Sequence, residues 1–330
     1  MRVLVTGATG FLGGAVTQHL HAQGLTVRAT GRNPQIGQRL AQSGLEFIAA
    51  ELSDPLQTTA LCQDIDWIFH CGAKTSLWGT KVSFWQSNVL GTRYLAAAAL
   101  KANCRRFIHI SSPSIYFRFA TQLNLDENTP LPKQFINHYA ASKAAAEAEI
   151  QAAVGQGLNA LILRPRAIYG PGDRTIFPRL LRALQHKKLP IIGDGQTLTD
   201  LTYIDNCVNA CLCAAQATLP PSGRCYNITD GQPQLLWQLL THIATELQLP
   251  IPNQHISSGL ARRLAQGLEY TFRALHIERE PLLTEYAVGL LSCTTTLAID
   301  RARLELGYSP QVSTAAGIAQ VLNWWQTTTC

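Results

Sequence analysis

MRVLVTGATGFLGG, residues 1–14, decides the fold. Arg2-Val3-Leu4-Val5 is a short run of aliphatic and β-branched residues, the composition of a parallel strand buried on both faces. Thr6 and Gly7 end it, and Gly10 and Gly13 follow at three-residue spacing. From Phe11 onward Leu12, Val16 and Leu20 recur at helical intervals until Gly24 stops the helix. Strand, glycine turn and helix in this order form the context of a dinucleotide fingerprint. The first glycine permits a tight turn, the second lets backbone approach a pyrophosphate, and the third lets helix pack close to strand. The helix start offers free N–H groups and partial positive charge to phosphate. Gly7, Thr9, Gly10, Phe11, Leu12 and Gly13 are therefore the expected cofactor cradle; a plain strand-to-helix turn is the blander reading of the same glycines.

The residue closing the second strand, Thr26 to Thr30, selects the cofactor. An acid there would bind the adenine ribose 2′-OH of NAD, whereas an arginine accommodates a 2′-phosphate. Gly31 stands in that place and Arg32 follows it, so the sequence favours NADP over NAD. A loop arginine that is merely solvated is the alternative. Arg28, four positions before Arg32, is expected to point away from the ribose. Leu45 to Ala50 reads as the third strand, with Glu51 and Leu52 at its carboxyl end beside the adenine. Ser53 or Asp54 then caps a helix that Pro55 opens. Trp67 to His70 is a buried strand, and Gly72, Ala73 and Lys74 after it are placed along the cofactor. An alanine-rich helix runs from Asn88 to about Lys101, and Phe107 to Ile110 is a fifth strand with Ser112 at its carboxyl end. Strands alternating with helices at this rhythm give an α/β fold with a doubly wound parallel sheet, whose ligands gather beyond the carboxyl ends of the strands.

NHYAASKAAAEAEIQAAV (residues 137–154) places Tyr139 and Lys143 four apart, on one face of a helix and one turn separated. A free phenol titrates near 10, too high to exchange protons readily at neutral pH. A neighbouring ammonium lowers that value, and Ser112 is positioned to hold a carbonyl or hydroxyl oxygen against the phenol. The same spacing also occurs on ordinary surface helices.

Together with TGATGFLGG and Ser112, the YAASK motif and LRPRAIYGPGD (residues 163–173) resemble the extended short-chain dehydrogenase/reductases. The resemblance runs over nearly the whole chain, through DLTYIDN (200–206) and ELGYSP (305–310). It implies that Tyr139 exchanges the proton, that Lys143 holds ribose hydroxyls and tunes the tyrosine, and that Ser112 orients the substrate oxygen. Asn88 would support the active-site lysine, and Pro165 and Ile168 would line the nicotinamide. SSPSIYF, AKTSLWG and RPRAIYGPGD look most like the branch of 3β-hydroxysteroid dehydrogenases and 2-alkyl-3-oxoalkanoate reductases. Gly31-Arg32 and Phe117 depart from the pattern of sugar-nucleotide epimerases, and Glu51 stands where the family more often shows aspartate. The resemblance implies an NADP-dependent exchange of a secondary alcohol and a ketone on a small hydrophobic substrate. A nucleotide-sugar epimerase or dehydratase, and a catalytically silent NADP-binding protein, are the alternatives. It also implies a Rossmann domain over residues 1–174 with a returning segment at about 200–230. A smaller, discontinuous substrate lobe would take 175–199 and 231–330, and a homodimer would form through the helices of Asn88 and Lys143.

Beyond Thr175 the alternation loosens. Phe177 to Leu184 reads as an amphipathic helix, Leu189 to Ile192 and Leu201 to Ile204 as short strands, Asn206 to Ala217 as a helix and Tyr226 to Ile228 as a returning strand. In the stretch 259–291, Leu260, Leu264, Leu268 and Phe272 recur every four residues while Arg262, Arg263 and Arg273 lie off the stripe. This helix packs into a core, closes as a lid over a greasy substrate, or touches a membrane surface, the last being least favoured. Trp78, Phe84, Trp85 and Phe117 are candidates for an apolar wall.

Bulk properties set limits. Across 330 residues, 46% are hydrophobic and 15% charged, a globular composition, and a net charge of +6 without a basic run longer than two disfavours nucleic acid. Nine scattered cysteines suit a reducing cytoplasm better than a disulfide framework. Cys207, Cys211 and Cys213 read as small packing residues on a helix, so no metal site is expected. A strand that begins at once leaves no room for a signal peptide, and no apolar stretch is long enough to span a bilayer.

Overall fold

The computed structural model describes residues 1–186 and 189–329; the Lys187-Lys188 pair lies outside the described residues. Seven strands form one wholly parallel sheet: β1 (Arg2–Thr6), β2 (Thr26–Gly31), β3 (Glu46–Ala49), β4 (Trp67–His70), β5 (Arg106–Ile110), β6 (Ala160–Pro165) and β7 (Cys225–Ile228). Their order is β7-β6-β5-β4-β1-β2-β3. The order reverses between β1 and β4, which opens a crevice at their carboxyl ends where a ligand can enter between the flanking loops. The returning strand joins the sheet at β6, pairing Tyr226 with Leu163 and Ile228 with Pro165.

Alternation along each strand builds two cores. Val3 and Val5 face Leu12, Val16 and Leu20 of helix α1 (Phe11–Ala22) on one side. Leu4, Ile68 and Phe107 face Leu95 and Ala99 of α2 (Gly91–Lys101) and Ile150 of α3 (His138–Val154) on the other. Each fully buried leucine or isoleucine contributes about 1.5–3 kcal/mol to this packing.

Several boundaries differ from expectation, most of them by a residue or two at an element end. The helix read from Asn88 is preceded by a turn of α-helix at Lys81–Phe84 and by a π-helical stretch, Trp85–Leu90, that carries Asn88. The strand expected over Leu201 to Ile204 is only Thr202–Tyr203, and Ile204 already starts the next helix, Ile204–Gln216. The expected strand from Leu189 shrinks to Ile191–Ile192.

Outside the large sheet, Gln234–Leu235, Leu198–Thr199, Thr295–Leu297 and Gln122–Leu125 form a second, four-stranded sheet in that order. On this side α4 (Ser258–Ala274) and α5 (Glu285–Ser292) share a small core with Trp237 and Leu240 of the helix Leu236–Glu246.

Candidate active site

The glycine turn has the close approaches that its spacing implies. Gly7 sits at φ +67°, where a side chain is strained, and a Cβ there would lie 2.8 Å from Gly72 Cα. At Gly13 a Cβ would fall 2.3 Å from the Gly7 carbonyl oxygen. Gly10 caps α1 without a side chain, and the first bond of the helix runs from Gly14 N–H to Gly10 C=O. The N–H groups of Phe11, Leu12 and Gly13 precede that bond and are the ones free for a ligand. Leu12 acts there through backbone alone, since its side chain is in the core. Phe11 turns toward Gly170 and Gly172. These features fit a dinucleotide pyrophosphate: a cradle closed to side chains, with donors at its floor.

Around it the other expected cofactor residues collect. Thr9 touches Gly31 so closely that a Cβ there would meet its hydroxyl oxygen at 2.5 Å. A side chain at the end of β2 would have to displace Thr9, and with glycine there Arg32 is the first residue able to reach outward. Arg32, Glu51, Ser53, Lys74, Ser83, Gln86 and Ser87 line a cleft of about 510 Å³. Leu52 packs on Gly72, and Gly72 donates its N–H to Thr6 Oγ1 (3.1 Å). Ala73 follows, half-buried. Pro165 ends β6, and Ile168 is half-buried three residues on. Arg28 does point away: it pairs with Glu46 at 2.9 Å and donates to the Leu61 carbonyl at 2.8 Å.

Asn137 caps α3 by accepting from Ala140 N–H at 2.8 Å, which places Tyr139 and Lys143 in its first turns. Ser112, at the carboxyl end of β5, caps the short 3₁₀ turn Pro113–Tyr116 and presents its hydroxyl to the Tyr139 phenol as a hydrogen-bond partner. Burial pushes the Tyr139 phenol up, and the Ser112 hydroxyl offsets part of that rise. The expected lowering by Lys143 is not what the structure shows. Lys143 is buried and turns its Nζ to the Ile110 carbonyl, donating at 2.5 Å. Burial holds its ammonium down at about 8, against the partly compensating charge of Glu147.

Asn88, expected to support the active-site lysine, bonds to its neighbours as follows. Its Oδ1 accepts from Lys74 N–H (2.7 Å), and its Nδ2 donates to the Lys74 carbonyl (3.1 Å) and to Ser142 Oγ (2.9 Å). Ser142 in turn donates to the Tyr139 carbonyl at 2.8 Å. Asn88 therefore locks the loop after β4 to the first turn of α3, and the π-helical stretch is what aims it there.

Sequence reading missed the layer beneath. His70 lies between Thr6 Oγ1 (2.8 Å) and Thr92 Oγ1 (2.9 Å). The Thr92 hydroxyl is committed as a donor to the Asn88 carbonyl (2.6 Å). His70 Nε2 must then carry the proton, and Nδ1 accepts from Thr6. Burial and the Lys143 charge hold His70 at about 3, so it is neutral in the native protein. Through this chain the end of β1 is tied to the helix that carries Asn88.

The buried ammonium yields a stability prediction. Its folded value near 8 lies below the ordinary 10.5. The unfolded chain therefore holds the extra proton between these two values, and the penalty on the native state is full below pH 8 and fades toward pH 10.5. Lys143→Met is expected to unfold at a higher temperature than wild type at pH 7, with the gap narrowing above pH 9. Melting curves at both pH values check this; equal midpoints at pH 7 would contradict it.

On the substrate side, Phe84 is buried with its ring 6.4 Å from that of Tyr139. Phe117 is buried against Phe119 and Tyr286, each at 5.1 Å. Trp85 is exposed and forms no wall. Trp78 packs edge-on to Phe272 of α4 and donates from Nε1 to the Ile277 carbonyl at 3.0 Å. The leucine stripe of α4 is not the core contact that one reading expected. Leu260 and Leu264 are 51% and 55% exposed, while Ala261 and Ala265 make the buried contact. The carboxyl half of α4 instead lies over the loop after β4, where the Arg273 guanidinium sits over Trp78 at 5.4 Å and its charge holds His138 below the ordinary histidine range, behind burial as the main cause.

Comparison with known proteins agrees with this architecture. The family model of the NAD dependent epimerase/dehydratase family matches residues 3–229. A protein of Escherichia coli (strain K12), YbjS, is 37% identical over 98% of this chain and 97% of its own length. The 2-alkyl-3-oxoalkanoate reductase of Stenotrophomonas maltophilia (strain K279a) is 34% identical over 97% of this chain and 98% of its own. Among solved structures, MoeE5 in complex with UDP-glucose and NAD superposes with a TM-score of 0.77 at 25% identity, covering both chains completely.

Proposed function

The chain belongs to the NAD dependent epimerase/dehydratase family, in the extended short-chain dehydrogenase/reductase branch that also holds 2-alkyl-3-oxoalkanoate reductases and 3β-hydroxysteroid dehydrogenases; from that premise we propose that it is an NADP-dependent oxidoreductase that interconverts a secondary alcohol and a ketone on a hydrophobic substrate. One observation carries the reading: the Tyr139 and Ser112 hydroxyls meet at the carboxyl end of β5, two strands from the glycine turn. When bound, the nicotinamide supplies or accepts the hydride. Tyr139 gives its proton to the substrate oxygen in reduction and takes it back in oxidation. A phenol pushed up by burial is protonated throughout the neutral range, the form that reduction needs. Ser112 holds the same oxygen, and Asn88 fixes the loop and helix between which the substrate must sit. Phe84, Phe117 and Trp78 keep water from the reacting carbon.

Arg32 supports NADP over NAD. With no acid at Gly31, Arg32 and Lys74 are the cations lining the outer cleft. Arg32→Ala is expected to raise the Kd for NADPH by about tenfold or more, the worth of one charge-assisted contact to phosphate, and to leave that for NADH nearly unchanged. Fluorescence titration with both nucleotides measures it; equal losses would overturn the assignment.

Turnover of NADPH across 3-oxosteroids, 2-alkyl-3-oxoacids and dihydroflavonols tests the activity itself. Oxidation of NADPH with at least one class is expected. Stoichiometric NADPH binding with no turnover would favour a silent binding protein. Tightly retained NAD⁺ in the purified protein would favour the epimerase reading, which the UDP-glucose complex of MoeE5 recommends as the alternative. Eight described cysteines are free, which suits the cytoplasmic placement, and among the described residues no helix is long and apolar enough to cross a membrane. The reading includes a homodimer joined through α2 and α3.

A further inference from the structure

We propose that His70 is a positioning residue for Tyr139: through Thr92 it holds the π-helical stretch Trp85–Leu90 in the register that aims Asn88, and through Thr6 it ties that stretch to the glycine turn. The proposal rests on the oxidoreductase reading above and adds a residue that acts on the proton donor only through others.

The hydrogen bonds run in one direction without a gap. Gly72 N–H donates to Thr6 Oγ1 at 3.1 Å, and the Thr6 hydroxyl donates to His70 Nδ1 at 2.8 Å. His70 Nε2–H donates to Thr92 Oγ1 at 2.9 Å, and the Thr92 hydroxyl donates to the Asn88 carbonyl at 2.6 Å. Each hydroxyl accepts once and donates once, and both imidazole nitrogens are engaged. The Asn88 amide carries the link on to Lys74 N–H (2.7 Å) and to Ser142 Oγ (2.9 Å), and Ser142 donates to the Tyr139 carbonyl at 2.8 Å. Thr6, His70, Asn88, Thr92 and Ser142 are all buried, so a lost member leaves its neighbours unpaired in the interior.

Burial in this layer does not by itself engage a histidine. His109 is the partner of His70 in register on β5, is as deeply buried, and lies 5.2 Å away ring to ring. Neither of its nitrogens bonds to a described residue. The pair of threonines is what sets His70 apart.

The point where the chain meets the helix gives it a role. Thr92 takes the Asn88 carbonyl where the π-helical stretch gives way to α2, and π turns are rare and concentrate at functional sites. Relaxation to a plain α-helix would rotate that stretch against α2 by about 100°, one residue's worth. The Asn88 side chain would then leave both Lys74 and Ser142, and the first turn of α3 would lose its tie to the loop after β4. Tyr139 stands in that turn, so its phenol would shift relative to Ser112. A misplacement of about 1 Å can cost about a hundredfold in rate. At its other end the chain holds Gly72, whose backbone closes the turn at Gly7.

The experiment measures His70→Leu, Thr92→Val and Thr92→Ser in the full chain, with NADPH and a hydrophobic ketone that wild type reduces. Thr92→Val replaces one hydroxyl by a methyl group. It is expected to lower kcat by about tenfold or more and to leave the KM for the ketone within about threefold. Thr92→Ser keeps the hydroxyl and should recover most of that loss. His70→Leu cuts both arms, so it should lower kcat at least as far and weaken NADPH binding as well. Added to Tyr139→Phe, Thr92→Val should lower kcat no further, because the chain acts through a donor already removed. Wild-type kcat in Thr92→Val or His70→Leu, the same loss in Thr92→Ser, or losses that multiply with Tyr139→Phe would overturn the proposal. Hydrogen exchange read by mass spectrometry gives a result that needs no turnover. Segments 72–80 and 137–145 should exchange faster in Thr92→Val than in wild type or Thr92→Ser. If they do while wild type reduces no ketone, the hold on these segments stands and the oxidoreductase reading falls. If all three proteins exchange alike, the positioning role falls whatever the turnover. Should His70→Leu not fold, the comparison of Thr92→Val with Thr92→Ser decides alone.

Discussion

Tyr139→Phe is expected to lower kcat for ketone reduction by about 10²–10⁴-fold, the usual worth of a positioned proton donor, while leaving NADPH affinity within about threefold of wild type. The separation of effects follows from the geometry. The ring packs near Phe84 and stays in the variant, whereas the lost hydroxyl has Ser112 as its partner. Phosphate contacts lie elsewhere, on the N–H groups that open α1. Steady-state kinetics together with NADPH fluorescence titration distinguish the cases. Retained turnover would remove Tyr139 from the chemistry, and a parallel loss of cofactor binding would make it a structural residue.

Gly13→Val should do the reverse, abolishing NADPH binding first. A Cβ at that position would lie 2.3 Å from the Gly7 carbonyl oxygen and 2.6 Å from its carbon, both backbone atoms that no rotamer change can move. Either α1 backs away from β1 or the turn at Gly7 opens, and each displaces the donors at the helix start. Overpacking of this kind costs about 1–3 kcal/mol, so a folded but less stable protein is expected, with no measurable NADPH binding by titration. Gly14, one residue on, is the control: a Cβ there would lie 3.3 Å from the Ala8 carbonyl, so Gly14→Ala should bind far better than Gly13→Val. A Gly13→Val protein with wild-type affinity would refute the cradle.

Much of this was legible in sequence because it depends on local spacing. Glycines at 7, 10 and 13 between an apolar run and a helical pattern mark a strand–turn–helix, and the close backbone approaches at Gly7 and Gly13 are those such a turn makes. The four-residue spacing of Tyr139 and Lys143 placed them correctly on one helix. It carried no information on where a flexible lysine points, and the Ile110 carbonyl, more than thirty positions away in sequence, captures its Nζ. The π-helical stretch that aims Asn88 was invisible, since one extra residue per turn leaves no mark in a segment without a clear apolar stripe. In α4 the eye follows the leucines, but close approach favours small side chains, so Ala261 and Ala265 are buried and Leu260 and Leu264 are not.

The most direct test of the account follows the hydride. NADPH carrying deuterium at the transferable C4 position is incubated with wild-type protein and a hydrophobic ketone that it turns over, and the product alcohol is weighed by mass spectrometry. The account requires one deuterium per molecule at the carbinol carbon, in step with NADPH consumed. Product without deuterium, or a consumed nucleotide with no alcohol formed, would contradict it.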